Sequence, residues 1–332
     1  MPSISLCMIV KNEADFLEQC LNSVKEIADE IIIVDTGSTD STKEIAKKFN
    51  AKIIEHKWNN DFSEARNISL QNAAKDWILV LDADELIEEK DFDKIKNLIE
   101  SSDDFAGFKL EQRSYINNYF EGALENKSDF GLIKQYPFYI SNFLVRLFKN
   151  KLGIKFRHRV HELVEDYMEE HGLKYKKNDI ILHHFGSLKG EETVKEKAEQ
   201  YSEIILKQLE ESPESARYNY QAGRMYTGKG DLNNALVYFK KSAKIEPNYK
   251  LVFSEIAKIY LQTGDKNKAV EYFKKSIYHN PENPSPANNL AVVYMSMGKF
   301  DKAKEILKEQ LKKHPDNKAL KHNYEEVLKN LK

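Results

Sequence analysis

Residues 77–85 read Trp-Ile-Leu-Val-Leu-Asp-Ala-Asp-Glu. The five apolar residues predict a short strand buried on both faces, and this strand runs directly into acidic residues. Strands of this kind are typical of parallel sheets, which bind ligands outside the carboxyl ends of their strands. The carboxylates of Asp82 and Asp84 therefore leave the predicted sheet at the edge where a ligand would bind.

Two earlier strands of the predicted sheet end in the same way. An apolar run over residues 4–10 ends at Lys11-Asn12-Glu13, and a second run over residues 31–34 ends in Asp35. Helical patterns separate these strands. Strands that alternate with helices predict an α/β domain with a Rossmann-like, mostly parallel sheet. The polar residues after the three strands would then meet at one edge.

Asp82 and Asp84 suit a divalent metal ion. Magnesium and manganese prefer hard oxygen ligands and are commonly held by one or two carboxylates together with substrate phosphates. A nucleoside diphosphate fits such a site, because the ion neutralises the charge that builds on the departing diphosphate. An Asp-x-Asp triplet by itself is a weak signal, since turns are rich in aspartate. Its position directly after a buried strand makes the signal stronger.

The last third of the chain repeats with a period of 34 residues. Proline, glycine, tyrosine and alanine each recur at this spacing, as Pro213, Pro247, Pro281 and Pro315, Gly230, Gly264 and Gly298, Tyr226, Tyr260 and Tyr294, and Ala235, Ala269 and Ala303. Each unit predicts two helices, with a glycine at the turn and a proline after the second helix. The units 216–249, 250–283 and 284–317 resemble tetratricopeptide repeats, and 318–331 looks like the capping helix that such stacks require.

Five ordered motifs within residues 5–85 resemble family 2 glycosyltransferases of the GT-A fold. They are Ser5-Leu-Cys-Met-Ile-Val-Lys-Asn-Glu13, Val34-Asp-Thr-Gly-Ser-Thr-Asp40, Trp58-Asn-Asn-Asp-Phe62, Ala65-Arg-Asn67 and Leu81-Asp-Ala-Asp-Glu85. The resemblance implies an inverting transferase that uses a nucleoside-diphosphate sugar, with a UDP-sugar expected, and manganese or magnesium. The expected domains are 1–190 for the transferase, 191–215 for a linker helix, and 216–332 for three repeats with their cap.

The resemblance assigns nucleotide-binding roles to eight residues, which are Val10, Asn12, Glu13, Asp35, Asp61, Arg66, Asn67 and Asp82. Within this set, Asp35 is expected to accept a hydrogen bond from a uracil-like base, and Arg66 to bridge toward the diphosphate as a forked donor. Asp82 would face the ribose or the metal, and Asp84 the metal. A histidine after an apolar strand supplies a third metal ligand in such enzymes, and His184 has the expected His-x-Gly spacing.

Inverting transfer needs a carboxylate that takes the proton of the attacking acceptor. Residues 143–148 and 154–162 are predicted as strands on the acceptor side. The second ends in a His-Glu pair that resembles one in repeat-bearing members of the family, so Glu162 is the candidate base and His161 its helper. The commoner family pattern is an adjacent Glu-Asp pair, and Glu165-Asp166 is therefore the rival.

Composition and charge limit the class of protein. The 51 basic and 53 acidic residues nearly cancel, to a formal net charge of -2, which argues against a nucleic-acid binder. Aliphatic runs such as Ile31–Val34 are far short of the ~20 residues that span a bilayer, and the N-terminus shows no signal-peptide pattern. A cytoplasmic location without transmembrane segments is expected. Cys7 and Cys20 are predicted as core residues rather than a redox pair.

Two other functions compete with that of a glycosyltransferase. A catalytically silent sugar-nucleotide domain could serve as a scaffold beside repeats that bind a partner protein. A nucleotidyltransferase has a similar sheet but requires a glycine-rich, basic phosphate loop after the first strand, and Lys11-Asn12-Glu13-Ala14 does not supply one. The repeats themselves are consistent with a peptide or protein acceptor, a partner protein or a homodimer, and the sequence leaves these open.

Overall fold

The computed structural model of the protein describes residues 2–101, 104–119, 122–186 and 191–331, with the backbone alone for 191–197. Its chain divides into two compact units, Met1–Ile204 and Ile205–Lys332. The predicted domain boundary at residue 190 lies outside the described residues. None of the helices described has the length and apolar composition needed to cross a membrane.

The first unit alternates strands and helices through its first half and is richer in strands through its second. Its elements are β1 (Ile4–Val10), α1 (Ala14–Val24), β2 (Glu30–Asp35), α2 (Thr42–Lys48), β3 (Lys52–Glu55), α3 (Phe62–Gln71), β4 (Trp77–Val80), β5 (Glu85–Ile87), α4 (Phe92–Glu100), β6 (Gly107–Ile116), β7 (Leu124–Glu125), β8 (Phe138–Lys149), α5 (Glu165–Glu170), β9 (Tyr175–His184) and α6 (Glu191–Glu211), which continues into the second unit. A short 3-10 turn covers Glu89–Asp91. This order confirms the predicted α/β class.

Nine strands of the described residues form one mixed sheet, in the order β3-β2-β1-β4-β8-β6-β9-β5, with β7 beside β8. The first four strands in this order run parallel, as predicted. The other half adds antiparallel pairs, because β8 is antiparallel to β4 and β6, and β5 is antiparallel to β9. Since β1, β2 and β4 are parallel neighbours, the residues that follow them meet at one edge of the sheet.

Apolar clusters cover both faces of the sheet. Alternation along β1 sends Leu6 and Met8 into one cluster, together with Cys20 of α1, and Cys7 into the other. Both cysteines are free and fully buried. Burial raises the pKa of the Cys7 thiol to about 12 and that of Cys20 well above its usual range. Placed on opposite faces and kept as thiols, they are core residues, as predicted.

The segment between β8 and α5 differs from the prediction. Residues 154–162 form no strand, and one isolated bridge joins Arg157 to Leu163. His158 and His161 take left-handed backbone conformations, with φ of 75° and 54°. Non-glycine residues adopt this region rarely, and it breaks the extended backbone that a strand requires.

The second unit is a run of helices. After α6 these are α7 (Ala216–Gly228), α8 (Leu232–Ile245), α9 (Val252–Gln262), α10 (Lys266–His279), α11 (Pro284–Ser296), α12 (Phe300–Lys313) and α13 (Lys318–Asn330). Gly230, Gly264 and Gly298 have φ of 75°, 86° and 71° at the turn within each helix pair, a conformation that glycine adopts at little cost. Three helix pairs and a following helix are thus present, as the 34-residue period predicts.

Each helix pair closes on a large buried side chain of its second helix, which is Phe239, Phe273 or Leu307. The alanines four residues earlier, Ala235, Ala269 and Ala303, are also fully buried. In the first pair, an added Cβ at Gly223 would lie 2.7 Å from the ring of Phe239. That distance is below van der Waals contact, which explains the small residue at this position.

Candidate functional site

The acidic residues after β4 form a closed turn. The backbone N–H of Glu85 donates to the carbonyl of Asp82 at 3.0 Å, and the N–H of Asp82 donates to Oε2 of Glu85 at 2.8 Å. The N–H of Phe185, directly after β9, donates to the carbonyl of Asp84 at 2.9 Å. The turn is therefore fixed by its own ends and by β9, with the side chain of Asp84 buried beside it.

Two buried arginines bind the carboxylate of Asp82. Nη2 of Arg66 lies 2.7 Å from Oδ1, and Nη2 of Arg146 lies 3.2 Å from Oδ2. Both arginine side chains are only 7% exposed, so water screens these pairs little. Burial opposes ionisation of Asp82, but the two guanidinium groups outweigh it and hold its pKa well below the usual range. Asp82 thus organises two cations at the sheet edge.

Asp84 and His184 form the pair best suited to a metal ion. Nε2 of His184 lies 3.7 Å from Oδ1 of Asp84, and Nδ1 of His184 lies 2.8 Å from the hydroxyl of Ser114. A proton on Nδ1 would be accepted by that hydroxyl, which leaves the Nε2 lone pair toward Asp84. An added Cβ at Gly186 would lie 2.5 Å from Nε2 of His184 and 3.0 Å from Oδ2 of Asp84. Gly186 is therefore packed closely against both groups, and a larger residue at this position would displace one of them.

The described residues contain no group of three histidine, cysteine, aspartate or glutamate side chains placed to hold one metal ion. Arginines bind the oxygens of Asp82, and of the three predicted metal ligands Asp84 and His184 lie side by side. One carboxylate and one imidazole fit a divalent ion that takes its other ligands from diphosphate oxygens and water.

The neighbouring His183 faces away from this pair. It is fully buried, with Nδ1 2.7 Å from the hydroxyl of Tyr115 and Nε2 3.0 Å from Oε1 of Glu88. Burial lowers its pKa, although the charge of Glu88 opposes the shift. In the antiparallel pairing of β5 with β9, His184 lies opposite Glu85. Successive residues of a strand face opposite sides, so one histidine belongs to the core and the next to the site.

Asp35, at the end of β2, presents one oxygen without a partner. Its Oδ1 accepts from the backbone N–H groups of Gly37 and Ser38, both at 3.0 Å. Its Oδ2 is buried, and the described residues offer it no donor. Leaving a buried acceptor unpaired is costly. The geometry suits the N–H of a bound base, which is the role predicted for this residue.

Three of the residues predicted to line the nucleotide hold the loops around Asp35. Val10 is the buried last residue of β1. The side chain of Asn12 accepts from the N–H of Thr39 at 2.8 Å, and the N–H of Glu13 donates to the hydroxyl of Thr42 at 2.8 Å. These contacts join the loop after β1 to the loop after β2 and fix the backbone around Asp35.

Asp61 and Asn67 hold backbone in this structure. Oδ1 of Asp61 caps α3 by accepting from the N–H of Glu64 at 3.0 Å. The amide of Asn67 exchanges two hydrogen bonds with the backbone of Phe156, at 3.0 and 2.8 Å. Both side chains therefore support the site by binding backbone groups. Asn67 joins α3 to the segment that carries Glu162.

The candidate base Glu162 lies in the arginine cluster. Its Oε1 accepts from Nε of Arg66 at 2.6 Å, and its side chain is 11% exposed. The rival pair is engaged elsewhere, because Glu165 accepts from a backbone N–H of β8 at 3.0 Å and Asp166 pairs with His158. Among the residues described, Glu162 is the one of these three carboxylates that binds Arg66, which also binds Asp82.

An aromatic residue that the sequence did not mark borders His161. The ring of Tyr201, in α6, lies 5.8 Å from the ring of the exposed His161 and 5.4 Å from that of Phe62, edge-on in both cases. The ring of Phe62 is 4.6 Å from that of Trp58. Burial and the charge of Glu162 raise the pKa of Tyr201. Tyr201 was missed because α6 was expected to be a linker.

Arg146 and Glu85 were also missed. Nη2 of Arg146 lies 3.2 Å from Oε1 of Glu85, which is completely buried. Burial raises the pKa of Glu85, although the guanidinium of Arg146 opposes the shift. The available signal was a charge at positions predicted to be buried, where arginine and glutamate are seldom left unpaired.

Comparisons with known proteins find matches for both parts of the chain. Residues 5–160 match the model of glycosyl transferase family 2, and residues 216–249 and 264–322 match tetratricopeptide-repeat models. The SPbeta prophage-derived glycosyltransferase SunS of Bacillus subtilis is 31% identical over 254 residues, 75% of this chain and 54% of that protein. A TPR repeat-containing protein of Synechococcus elongatus is 31% identical over 250 residues, 74% of this chain and 57% of that protein.

An uncharacterized glycosyltransferase of Rickettsia felis is 39% identical over 101 residues, which are 30% of this chain and 35% of that protein. The chain spans just over half the length of the Bacillus and Synechococcus relatives. These matches agree with the resemblances found in the sequence, for the transferase motifs and for the repeats.

Proposed function

We propose, from the match of residues 5–160 to the model of glycosyl transferase family 2, that the protein transfers a sugar from a UDP-sugar to an acceptor nucleophile, with inversion and with a divalent metal ion. The observation that carries this proposal is the buried Asp84 beside His184 at the carboxyl end of β4. The site lies where parallel sheets bind ligands. Each finer element of the proposal rests on a separate contact.

The proposed metal ligands are Asp84 and His184, which lie side by side next to Gly186. When bound, manganese or magnesium supplies the positive charge that stabilises a departing diphosphate. The protein orients the two ligands. Ser114 bonds Nδ1 of His184, and the backbone of the acidic turn holds Asp84 in place.

Two unpartnered polar atoms support recognition of the donor nucleotide. Oδ2 of Asp35 is a buried acceptor, and the N3–H of uracil is a donor of the right kind. Nη1 of Arg66 is buried and finds no acceptor among the described residues. A diphosphate oxygen would satisfy it, since a guanidinium N–H forms a strong, charge-assisted hydrogen bond to such an oxygen.

Glu162 is the proposed base. The acceptor nucleophile attacks the anomeric carbon, the bond from that carbon to the diphosphate oxygen breaks, and Glu162 takes the proton of the nucleophile. Arg66 holds Oε1 of Glu162 at 2.6 Å, which orients the carboxylate and leaves Oε2 for the proton. His161, exposed next to it, would contact the acceptor.

A peptide or protein is the proposed acceptor, because tetratricopeptide stacks offer extended surfaces for peptides. A homodimer through the repeats and a cytoplasmic location stay predictions from the sequence. The repeat unit and the transferase unit are on one chain, so a bound acceptor protein would be held at a raised local concentration.

A panel of sugar nucleotides, with and without manganese, tests the function. We expect UDP-sugars to raise the melting temperature, more so with manganese, and to be hydrolysed slowly in a manganese-dependent reaction. Asp84→Asn should abolish hydrolysis and transfer while the protein stays folded, whereas Asp179→Asn changes an exposed carboxylate and is the control. A fully active Asp84→Asn variant excludes the metal scheme. Donor binding without hydrolysis or transfer would favour a silent scaffold.

A further inference from the structure

Arg146 is a charged residue inside an apolar strand. It lies in β8 between Val145 and Leu147, which are fully buried, and its own side chain is 7% exposed. Burying a guanidinium is costly unless it is paired. It forms ion pairs with Asp82 and Glu85, the first and last residues of the acidic turn.

Glu85 connects the turn to two strands. Its Oε1 accepts from Nη2 of Arg146 on β8 and from the amide of Gln112 on β6. Its Oε2 accepts from the backbone N–H of Asp82 at 2.8 Å. Arg146 and Glu85 therefore span the turn from one end to the other, and Asp84 lies between the two residues that are held.

Charge neutralisation alone does not account for Arg146. Oδ1 of Asp82 is already bound by Arg66 at 2.7 Å. The contribution specific to Arg146 is a single nitrogen, Nη2, that lies 3.2 Å from Oδ2 of Asp82 and 3.2 Å from Oε1 of Glu85. One donor that contacts both ends of a turn fixes the distance between them.

We propose that Arg146 is a positioning residue, which holds the turn through Asp82 and Glu85 so that the carboxylate of Asp84 faces His184. This inference rests on the proposed metal-dependent transfer. Arg146 acts through its partners, since its Nη2 contacts the side chains of Asp82 and Glu85 in the turn. Outer residues of this kind orient metal ligands, and their loss typically weakens metal affinity about 10- to 100-fold.

Manganese binding in the presence of UDP is the direct test, measured from the loss of the free-manganese electron paramagnetic resonance signal. R146K keeps the charge, but the shorter lysine side chain does not place a nitrogen where Nη2 of Arg146 lies between the two carboxylates. The double variant R146M/E85Q removes one charge of each sign, so the cluster keeps its net charge. The matched control is R113M/E111Q, which removes a 2.8 Å arginine–glutamate pair of the same sheet.

We expect R146K and R146M/E85Q to bind manganese about 10- to 100-fold more weakly than the wild type, while the control binds normally. The melting temperature of each variant without ligands shows whether it is folded. If R146K is folded and binds manganese as the wild type does, the positioning role is overturned. If R146K does not fold, the manganese affinity of R146M/E85Q decides the question. Normal manganese binding by this double variant would also overturn the positioning role. A wild-type protein that binds neither manganese nor UDP refutes the proposed function instead.

Discussion

Nε of Arg66 lies 2.6 Å from Oε1 of Glu162, although 96 positions separate the two residues in the chain. The next residue of α3, Asn67, bonds the backbone of Phe156 in the same segment. Two consecutive side chains of one helix thus hold the segment that follows β8. The proposed base is therefore fixed by the helix that also supplies the proposed diphosphate ligand.

Glu162→Gln separates the base from its rival. Glutamine keeps the shape of the side chain but cannot take a proton, so transfer should fall by about 100-fold or more, the usual range for general-base catalysis. Affinity for UDP, measured by calorimetry, should change little. The matched variant is Glu165→Gln, which alters a buried carboxylate bound to the β8 backbone and should lower the melting temperature. Loss of transfer in Glu165→Gln with normal transfer in Glu162→Gln would reverse the assignment.

Asp35→Asn tests recognition of the base. An asparagine keeps one oxygen for the N–H groups of Gly37 and Ser38 and places an NH2 group where Oδ2 now lies. That donor opposes the N3–H of uracil but suits cytosine, whose N3 is an acceptor. We expect the wild type to bind UDP at least about tenfold more tightly than CDP, and the variant to lose or invert this preference. If the ratio of UDP affinity to CDP affinity is the same in the wild type and in the variant, Asp35 does not contact the base.

Gly186→Ala tests the space beside the proposed metal ligands. The added Cβ would lie 2.5 Å from Nε2 of His184 and 3.0 Å from Oδ2 of Asp84, so one of these groups must move. Manganese affinity should fall by about tenfold or more. Gly131→Ala is the control, because no atom lies within 4 Å of the added Cβ there. Unchanged manganese binding in both variants would argue against a metal ion at this pair.

Gly223→Ala tests the packing of the first repeat. Its Cβ would lie 2.7 Å from the ring of Phe239, whereas an added Cβ at Gly228, in the same helix, meets nothing within 4 Å. Both changes bring a similar gain in helix propensity, so their difference isolates the overpacking, about 1–3 kcal/mol in free energy of unfolding. Urea unfolding followed by circular dichroism measures it. If the two variants have the same free energy of unfolding, the helix pair accommodates the added Cβ at residue 223 without loss of stability.

The sequence predicts those features that depend on short stretches of chain. The parallel half of the sheet follows from apolar runs that end in polar residues, such as Asp35. The repeats follow from a fixed period of 34 residues, with glycines such as Gly230 at positive φ. In each case the signal and the structure it predicts lie within about one supersecondary unit.

The ion pairs of the site were not predictable in this way. Contact between Arg66 and Glu162 requires β8 to enter the sheet beside β4, and no local pattern encodes that order. The expected strand over 154–162 was wrong because His158 and His161 adopt left-handed conformations, which side-chain periodicity does not show. The two arginine contacts of Asp82 were not predicted for the same reason, since each arginine comes from a distant element.

The pairing of β5 with β9 makes two adjacent, chemically identical side chains non-interchangeable. His183 is bonded to Tyr115 in the core, and His184 lies opposite Glu85 at the site. Insertion or deletion of one residue in β9 before His183 would exchange the faces on which the two histidines lie, because successive side chains of a strand point to opposite faces. Such an indel would retain both imidazoles in the sequence and still remove the proposed metal ligand, so strand length selects the ligand as firmly as residue identity does.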